Sequence, residues 1–381
     1  MPGGLFKKSK KEPAERPPPE RELFPAMPGS AGSVPSPKAG ATIPPKVVAR
    51  PVTAEKGESA PSLEELGIPG QSSLFLGPSS PEPWRIFRML SGGRKALVLS
   101  GAHPKRLRER FGLDEAALVW LSAYGGSKEE TLPPQTLEYE MLGRVSRHFK
   151  AHRGSILFLD DVEYLTSQCG FERVVRFVKS LSDTAAELRG TLLAVADPEA
   201  FSDRERAALS SVFDAVRKLA PEEPPATPAQ GLPPSANCLV CGPAEGAYRL
   251  LEAASRNRRA LCITHNAPRK LKERYDLSRA GFLWLSDSAT GEGVLKPQKF
   301  AMEGQRAASI HLRSGPGALV FLDNLEKLRL YGELPEVVRF VKGVCDAASE
   351  CGGTVLACLA PGALDPAGEA SLKKRFEAVF G

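Results

Sequence analysis

The sequence lacks any apolar run long enough to cross a membrane. No stretch approaches the roughly 18 consecutive apolar residues that a bilayer-spanning helix needs, although 42% of the 381 residues are hydrophobic. Charge of one sign is not in large excess either, because 51 basic residues stand against 45 acidic ones and leave a formal net charge of +6. A balance this mild does not indicate a nucleic-acid-binding protein.

Cysteine is scarce as well. Several of the seven cysteines stand inside apolar runs, which favours free thiols in a reducing compartment over a disulfide framework. The sequence shows no signal peptide pattern. We therefore expect a soluble cytoplasmic protein.

Composition divides the chain into a tail, two folded parts and a linker. Residues 1–70 are rich in proline, glycine, serine and charge, and such a composition cannot offset the entropy of ordering, so it predicts a disordered tail. From residue 71 onwards, short apolar runs alternate with segments of helical period, which is typical of βαβ units around a parallel sheet. A proline-rich stretch at residues 221–236 predicts an extended linker.

The folded part of the chain is an internal duplication. The apolar run that ends at Asp160 returns as the run that ends at Asp323, and Val174 returns as Val337; both offsets are 163 residues. Because the two offsets are equal, the repeats align without a gap over this stretch. Two copies of one domain therefore account for the chain after the tail.

The pattern within each copy predicts two tandem three-layer α/β/α repeats, at residues 71–220 and 237–381, each with a mainly parallel five-stranded sheet. A long helix is predicted at residues 203–219, after the last strand of repeat 1. The predicted strands of repeat 1 are residues 74–77, 96–100, 118–122, 156–160 and 191–196.

Four segments carry a resemblance to a known family. They are Leu-Phe-Leu-Gly-Pro at residues 74–78, Pro-Lys-Arg-Leu-Arg-Glu-Arg-Phe-Gly-Leu at 104–113, Trp-Leu-Ser at 120–122, and Leu-Asp-Asp-Val-Glu-Tyr-Leu at 159–165. Together with their counterparts in the second copy, they resemble the archaeal domain-of-unknown-function family eight hundred and thirty-five in tandem duplicate. The resemblance implies a module associated with signalling, with no assigned activity.

A more distant similarity connects the repeats with circadian-clock-type and recombinase-type P-loop ATPases. A P-loop needs glycines whose N–H groups wrap the phosphates, a lysine, and a hydroxyl for magnesium. After Gly77 the chain reads Pro-Ser-Ser-Pro-Glu-Pro-Trp, and after Gly242 it reads Pro-Ala-Glu-Gly-Ala-Tyr, with no lysine in either turn. We therefore expect a degenerate P-loop-like fold with no catalytic residue, no cofactor and no ATP hydrolysis.

The acidic residues at the strand ends are the first candidate site. In open α/β sheets, ligands bind at the carboxyl ends of the strands, where Asp160 and Asp161 stand in repeat 1 and Asp323 and Asn324 in repeat 2. A metal ion is one reading of such a pair. Because Asn324 replaces the second carboxylate, a turn or capping role is favoured over metal binding.

A basic segment follows the second strand of each repeat at the same predicted edge. It contains Lys105 and Arg106 in repeat 1, and Arg269 and Lys270 in repeat 2. These side chains are candidates for an anionic ligand or an acidic partner surface, although the interleaved glutamates are also typical of a solvated helix face. Aromatic residues that stack bases are not interleaved there, which disfavours nucleic acid.

One cysteine pattern imitates a zinc site in its spacing. Cys238 and Cys241 are three residues apart, as are Cys262 and His265, and both pairs have the spacing of metal ligands. Their counterparts in repeat 1 are ordinary positions on the first two strands. Residues three apart on a strand point to opposite faces, so we expect no metal ion.

The function that the sequence favours is binding. We expect a non-catalytic sensory or scaffolding module that binds a protein partner or a small ligand at the strand carboxyl ends. A nucleotide hydrolase of the ATPase or GTPase class is the alternative, and a nucleic-acid binder is the third possibility. The two repeats are also expected to pack on one another, because duplicated domains often bury equivalent faces.

Overall fold

The computed structural model describes residues 66–78, 80–123, 129–220, 231–233 and 235–381. Both repeats belong to one compact unit. Each contains a seven-stranded sheet in which every pairing is parallel, with helices on both faces. In the described part of the chain, no helix is both long and apolar enough to cross a membrane.

Repeat 1 begins with a strand and alternates strands with helices. Its strands are β1 (Ser72–Leu76), β2 (Ala96–Ser100), β3 (Ala117–Leu121), β4 (Thr131–Leu132), β5 (Ile156–Leu159), β6 (Thr191–Ala196) and β7 (Ala215–Lys218). Its helices are α1 (Glu82–Leu90), α2 (Pro104–Phe111), α3 (Leu142–Ala151), α4 (Val162–Cys169), α5 (Phe171–Leu188) and α6 (Asp203–Ser210).

Repeat 2 follows the same plan. Its strands are β8 (Cys238–Cys241), β9 (Ala260–Thr264), β10 (Gly281–Leu285), β11 (Val294–Leu295), β12 (Leu319–Leu322), β13 (Thr354–Leu359) and β14 (Ala378–Phe380). Its helices are α7 (Ala244–Ser255), α8 (Pro268–Arg274), α9 (Gln305–Arg313), α10 (Leu334–Cys351) and α11 (Pro366–Lys373). The counterpart of α4 in repeat 2 is a 3-10 helix, Leu325–Leu330.

The strand order places the acidic strand ends in the middle of each sheet. The order is β4-β3-β2-β5-β6-β1-β7 in repeat 1 and β11-β10-β9-β12-β13-β8-β14 in repeat 2. Leu99 of β2 lies beside Leu159 of β5, so Ser100 and Asp160 follow on neighbouring strands. Since all strands are parallel, their carboxyl ends meet at one edge of each sheet.

Burial of the central strands explains why they read as continuous apolar runs. All four residues of β5 and of β12 are buried, as is typical of parallel strands covered by helices on both faces. One apolar cluster on the sheets extends continuously through both repeats, while separate clusters cover the other face of each sheet. The prediction of two tandem α/β/α repeats is confirmed.

The predicted number of strands was wrong, because each sheet has seven strands rather than five. The predicted helix at residues 203–219 ends at Ser210, and residues Ala215–Lys218 form β7 beside β1. The open edge of β1 supplies backbone partners for this segment, and tertiary pairing of this kind overrides weak local preference. The other extra strand, β4, has two residues, too few to produce a pattern.

The folded part also begins earlier than residue 71. Leu66 is fully buried in repeat 1, the Gly67 carbonyl oxygen accepts a hydrogen bond from Arg94 at 3.2 Å, and the Gly70 N–H donates to Gly190 at 2.5 Å. Residues 66–70 are therefore part of repeat 1. The rest of the predicted tail, and residues 221–230 and 234 of the predicted linker, lie outside the described residues.

Removing the tail at two different points tests this boundary. A chain that starts at Ser62 should keep the melting temperature of the full chain, because it retains the buried side chains described above. A chain that starts at Gln71 loses Leu66, whose burial is worth roughly 1.5–3 kcal/mol. Thermal unfolding followed by circular dichroism should show a drop of several degrees, since about 1 kcal/mol corresponds to roughly 2–4 °C in larger domains. Equal losses from both truncations would contradict this boundary.

Candidate functional site

Asp160 and Asp161 lie at the carboxyl end of β5, where the buried strand turns into α4. The Asp160 N–H continues the ladder by donating to Leu99 at 2.9 Å, and its carboxylate accepts a hydrogen bond from Ser100 Oγ at 2.8 Å. Asp161 has a left-handed backbone with φ of 75°, a conformation that Asp and Asn adopt more readily than most residues. The sharp turn aims both carboxylates at the edge of the sheet.

Two cations from repeat 2 occupy this edge. Lys374 and Arg375 follow α11 directly, and we call them the basic pair. Nζ of Lys374 lies 3.3 Å from Oδ1 of Asp160 and 3.0 Å from Oε2 of Glu163, while the Arg375 guanidinium pairs with Asp161. We call the three carboxylates, Asp160, Asp161 and Glu163, the acidic cluster. The strand ends of repeat 1 are thus closed by repeat 2.

An aromatic ring and a backbone N–H group complete the surroundings of these charges. The Arg375 guanidinium lies 5.2 Å from the ring centroid of Tyr164, which is itself buried. The second carboxylate oxygen of Glu163 accepts a hydrogen bond from the Asp197 N–H. Both sides of the ion pairs are therefore satisfied by several partners, which is the condition under which buried charges are tolerated.

The electrostatics of the cluster favour the charged forms of the basic pair. Burial alone would lower the pKa of Lys374, but attraction to Glu163 and Asp160 outweighs it and raises the pKa. Burial opposes ionisation of Asp161 too, yet the Arg375 guanidinium holds its pKa below the usual value. Burial dominates at Glu163 and raises its pKa. The pairs remain ionised around neutral pH at Asp161 and at both cations.

A glycine makes room for this contact. Gly101 follows β2, and a Cβ atom there would overlap Oδ2 of Asp161 and lie 3.0 Å from Nη1 of Arg375. Any side chain at this position would therefore displace the ion pair. The counterpart of Gly101 in repeat 2 is His265, and the two strand-end edges differ accordingly.

The same lysine and aspartate pair occurs in both repeats but in opposite environments. Lys342 and Asp346 on α10 are 2.6 Å apart with side chains 3% and 10% exposed, and Nζ of Lys342 lies 5.0 Å from the ring centroid of Trp120 in repeat 1. Their counterparts Lys179 and Asp183 on α5 are 56% and 63% exposed. One helix face is therefore buried in the contact and the equivalent face is free in water.

The four basic residues predicted as a candidate site lie in different environments. Arg106 joins the contact between the repeats, because its guanidinium lies 2.7 Å from Oε2 of Glu377. Lys105 is exposed, and so are Lys270 and Arg269, the latter pairing with Glu273 on its own helix at 3.0 Å. Of the four basic residues proposed from the sequence, Arg106 is the one that the structure pairs with a residue of the other repeat.

A small polar cavity remains between the repeats. Its volume is about 90 Å³, and residues from both repeats line it, among them His103, Arg106, Asp346 and Arg375. Small-molecule sites usually measure about 300–1,000 Å³. The cavity has room for a few water molecules at roughly 30 Å³ each, but not for a nucleotide.

The strand-end edge of repeat 2 is closed by its own side chains. The carboxylate of Asp323 accepts hydrogen bonds from Thr264 Oγ1 at 2.7 Å, from Asn266 Nδ2 at 2.9 Å and from Asn324 Nδ2 at 2.6 Å. Asn324 is left-handed with φ of 47°, like Asp161. The two aspartates at the strand ends are thus both saturated, one with cations and the other with neutral donors.

His265 fills the space beside this network. Its ring stacks on Tyr331 with the centroids 5.8 Å apart and the planes 12° apart, and burial lowers its pKa although Asp323 acts in the opposite direction. Within the described part of the chain, both ring nitrogens are buried without a hydrogen-bond partner. An unpaired buried polar group costs about 1–3 kcal/mol, and His103 at the edge of repeat 1 also has one such nitrogen.

The sequence-based reading identified the acidic residues but not their partners. We expected a turn or capping role for Asp160 and Asp323, whereas their carboxylates accept hydrogen bonds from hydroxyls on the neighbouring strand and from amide side chains. The basic pair was missed altogether. One signal was available, because the internal alignment sets Lys374 and Arg375 against Ser211 and Val212, a clear difference between the repeats.

The thiols of the zinc-like pattern lie in apolar surroundings. Burial raises the pKa of Cys238 to about 12 and raises that of Cys262 well above its usual value, which disfavours the thiolate form that binds metals. Among the residues that the structure describes, no group of three or more His, Cys, Asp and Glu side chains is arranged to hold a metal ion.

Fold and edge together define a class: tandem parallel α/β repeats in which one repeat covers the strand ends of the other. The chain belongs to the family described as protein of unknown function (DUF835), whose model matches residues 79–213 and 242–376. There is one match in each repeat, so the resemblance to this family and the duplication, both predicted from the sequence, are confirmed. No curated protein matches the chain.

The duplicated lysine provides a matched test of the contact. Lys342→Met should destabilise the protein by about 3 kcal/mol, because it leaves the buried Asp346 without its cation. Lys179→Met removes the exposed counterpart and should change stability by less than about 1 kcal/mol. Urea unfolding at pH 7 followed by fluorescence measures both variants. Equal effects would show that the face of α10 is not buried against repeat 1.

A pH dependence follows from His103 at the start of α2. Burial lowers its pKa from 6.5 to about 4, and its Nδ1 accepts the Lys105 N–H at 3.3 Å. The folded state therefore keeps His103 neutral, and its contribution to stability is present above pH 6.5 and lost as the pH falls towards 4. The contribution is about 3 kcal/mol at roughly 1.4 kcal/mol per pKa unit.

His103→Asn should test this dependence, because asparagine retains the capping acceptor and does not titrate. Melting temperatures of the two proteins between pH 7 and pH 4 should differ in slope, with the wild type falling more steeply. Parallel curves would contradict the assignment of the proton to His103.

Proposed function

We propose that this protein is a non-catalytic binding module and that the strand-end edge of its α/β repeat is a surface for protein contacts. One observation carries the proposal: the basic pair of repeat 2 lies where a ligand would bind at the edge of repeat 1. In an enzyme of this architecture, those carboxylates would be available to a metal ion and its substrate. In this chain the three carboxylates form ion pairs with Lys374 and Arg375.

The turns after the first strands support the same conclusion. A helix amino terminus binds phosphate through free N–H groups and a favourable dipole. In repeat 1 the first turn of α1 carries Glu82 and Pro83, and Glu82 pairs with Arg217 at 2.8 Å. In repeat 2 the first turn of α7 carries Glu245, which pairs with Arg249 at 2.9 Å. A carboxylate at this position repels a phosphate.

The kind of contact seen between the repeats indicates what the edge binds. Repeat 1 binds the face of a helix, through Lys342 over the rings of Trp120 and Tyr164, together with the two cations after a second helix. This is a contact between folded elements. It differs from the enclosed apolar pocket with a few polar groups that holds a small molecule. A protein partner therefore suits the edge better than a small ligand.

Calorimetry with the full chain separates this function from nucleotide hydrolysis. Titration with Mg-ATP and with Mg-GTP should give no binding heat, and phosphate release should equal that of buffer, because neither turn contains the lysine that hydrolysis needs and each places a glutamate where the phosphate would lie. The result that would overturn the proposal is hydrolysis by the purified protein that disappears in an Asp160→Asn, Asp323→Asn double variant. Asp183→Asn, at an exposed carboxylate, is the matched control.

A further inference from the structure

Pairing of the repeats uses two different surfaces and leaves one of each free. We call the sheet edge that carries the acidic residues the strand-end face of a repeat. The helical face of repeat 1 is the side of α5 that carries Lys179, with Ser211 and Val212 after α6. The helical face of repeat 2 is the side of α10 that carries Lys342, with Lys374 and Arg375 after α11. Inside the chain, the strand-end face of repeat 1 binds the helical face of repeat 2. Such a heterologous contact leaves the strand-end face of repeat 2 and the helical face of repeat 1 without a partner from this pairing.

The cation and the ring that meet at the centre of the contact each have a counterpart on one of the two free faces. In the occupied contact, Nζ of Lys342 lies over the ring of Trp120. Repeat 2 has Trp284 in the same position, with its indole N–H donating to the residue after the second strand at 3.2 Å, as Trp120 does at 3.3 Å. Repeat 1 has the exposed Lys179 on its helical face. The cation and the ring are therefore both available for a second contact of the same kind.

The sizes of the opposing groups are exchanged between the two faces. In the occupied contact, the long side chain of Arg375 reaches the space that Gly101 leaves open. On the free faces, the strand end carries the larger group, His265, and the helical face carries the smaller one, Val212. A large group opposite a small one is maintained in both combinations, so the free faces keep a complementary shape.

The charges change on both faces in a compensating way. The helical face of repeat 1 has Ser211 and Val212 in place of the basic pair, so it lacks two positive charges. On the strand-end face of repeat 2, Asn324 replaces one carboxylate and Lys327 replaces Tyr164, so this face is more positive by two charges. The uncharged Ser211 and Val212 suit a face that carries Lys327 better than a basic pair would, although Lys179 would also approach Lys327, because its counterpart Lys342 lies 5.5 Å from the ring centroid of Tyr164.

The free strand-end face also has features of a surface that binds a partner. Leu330 is 77% exposed, and its neighbour Tyr331 corresponds to Gln168, which in the occupied contact donates to the Pro335 carbonyl oxygen of repeat 2 at 3.2 Å.

We propose that the strand-end face of repeat 2 binds the helical face of repeat 1 of a second copy, so that chains associate head to tail. The inference rests on the proposed function, because it names the partner for the same kind of edge. The contact is open rather than closed, so each added copy presents the same two free faces again.

Sedimentation velocity of the full chain over a range of concentrations tests the association. The wild type should show dimers and larger species that increase with concentration. Leu330→Glu on the strand-end face and Val212→Arg on the helical face should each weaken association at least tenfold, because one buries a charge and the other sets a cation against His265 and Lys327. Met302→Glu, at a side chain that is 81% exposed elsewhere on repeat 2, is the matched control and should change nothing.

Mixing the two variants distinguishes head-to-tail contact from other modes. A Leu330→Glu chain retains its helical face and a Val212→Arg chain retains its strand-end face, so an equal mixture should form dimers that stop growing, although neither variant assembles alone. Combining Val212→Arg with His265→Gly, Asn324→Asp and Lys327→Tyr should restore assembly of one chain with itself, since it reproduces the pairing of Arg375 with Asp161 beside Gly101 and Tyr164 inside the chain.

Monomeric behaviour of the wild type at all concentrations would overturn the proposal, as would association that the two variants do not weaken or that mixing does not restore. Thermal melting of each variant shows whether it is folded. If the chains do not associate and no nucleotide binds, the proposed function stands and the free edge binds a different protein. If the protein hydrolyses a nucleotide, the proposed function itself is wrong.

Discussion

The ion pairs between the acidic cluster and the basic pair are the interaction on which the arrangement of the two repeats depends. Removing these groups from water costs several kcal/mol per ion, and only close pairing with further hydrogen bonds offsets that cost. Lys374 reaches two carboxylates and Arg375 reaches a third. A shift of one repeat along the other would break these pairs while the charges stayed buried, and this makes the relative position of the repeats specific.

The contact also makes two similar repeats unequal. Lys179 and Lys342 are equivalent in sequence, and each pairs with the aspartate four residues later, yet one pair is exposed and the other is buried beside Trp120. The same motif thus contributes little to stability in one repeat and lies at the centre of the interface in the other. In a duplicated protein, the role of a residue is set by which face its repeat presents to the other copy.

The strand-end edge illustrates how a fold separates from a function. Parallel α/β sheets commonly bind ligands where the strands end, but function belongs to the residues at the site and not to the fold. Here the acidic residues of repeat 1 bind cations from the same chain, and Asp323 in repeat 2 is saturated by neutral donors. The same edge thus pairs with cations of the other repeat in repeat 1 and with side chains of its own repeat in repeat 2.

The sequence by itself determined the repeat architecture, because its signals are local. The apolar run before Asp160 and its copy before Asp323 each predict a strand that helices cover on both faces. The equal sequence offsets between equivalent residues of the two repeats reveal the duplication. Tertiary structure alone decided the rest. Strand β7 forms because the edge of β1 offers partners to a segment of weak preference, and Asp161 meets Arg375 across 214 residues of chain. No local pattern encodes such a distance, since only the packing of one repeat on the other brings the two charges together.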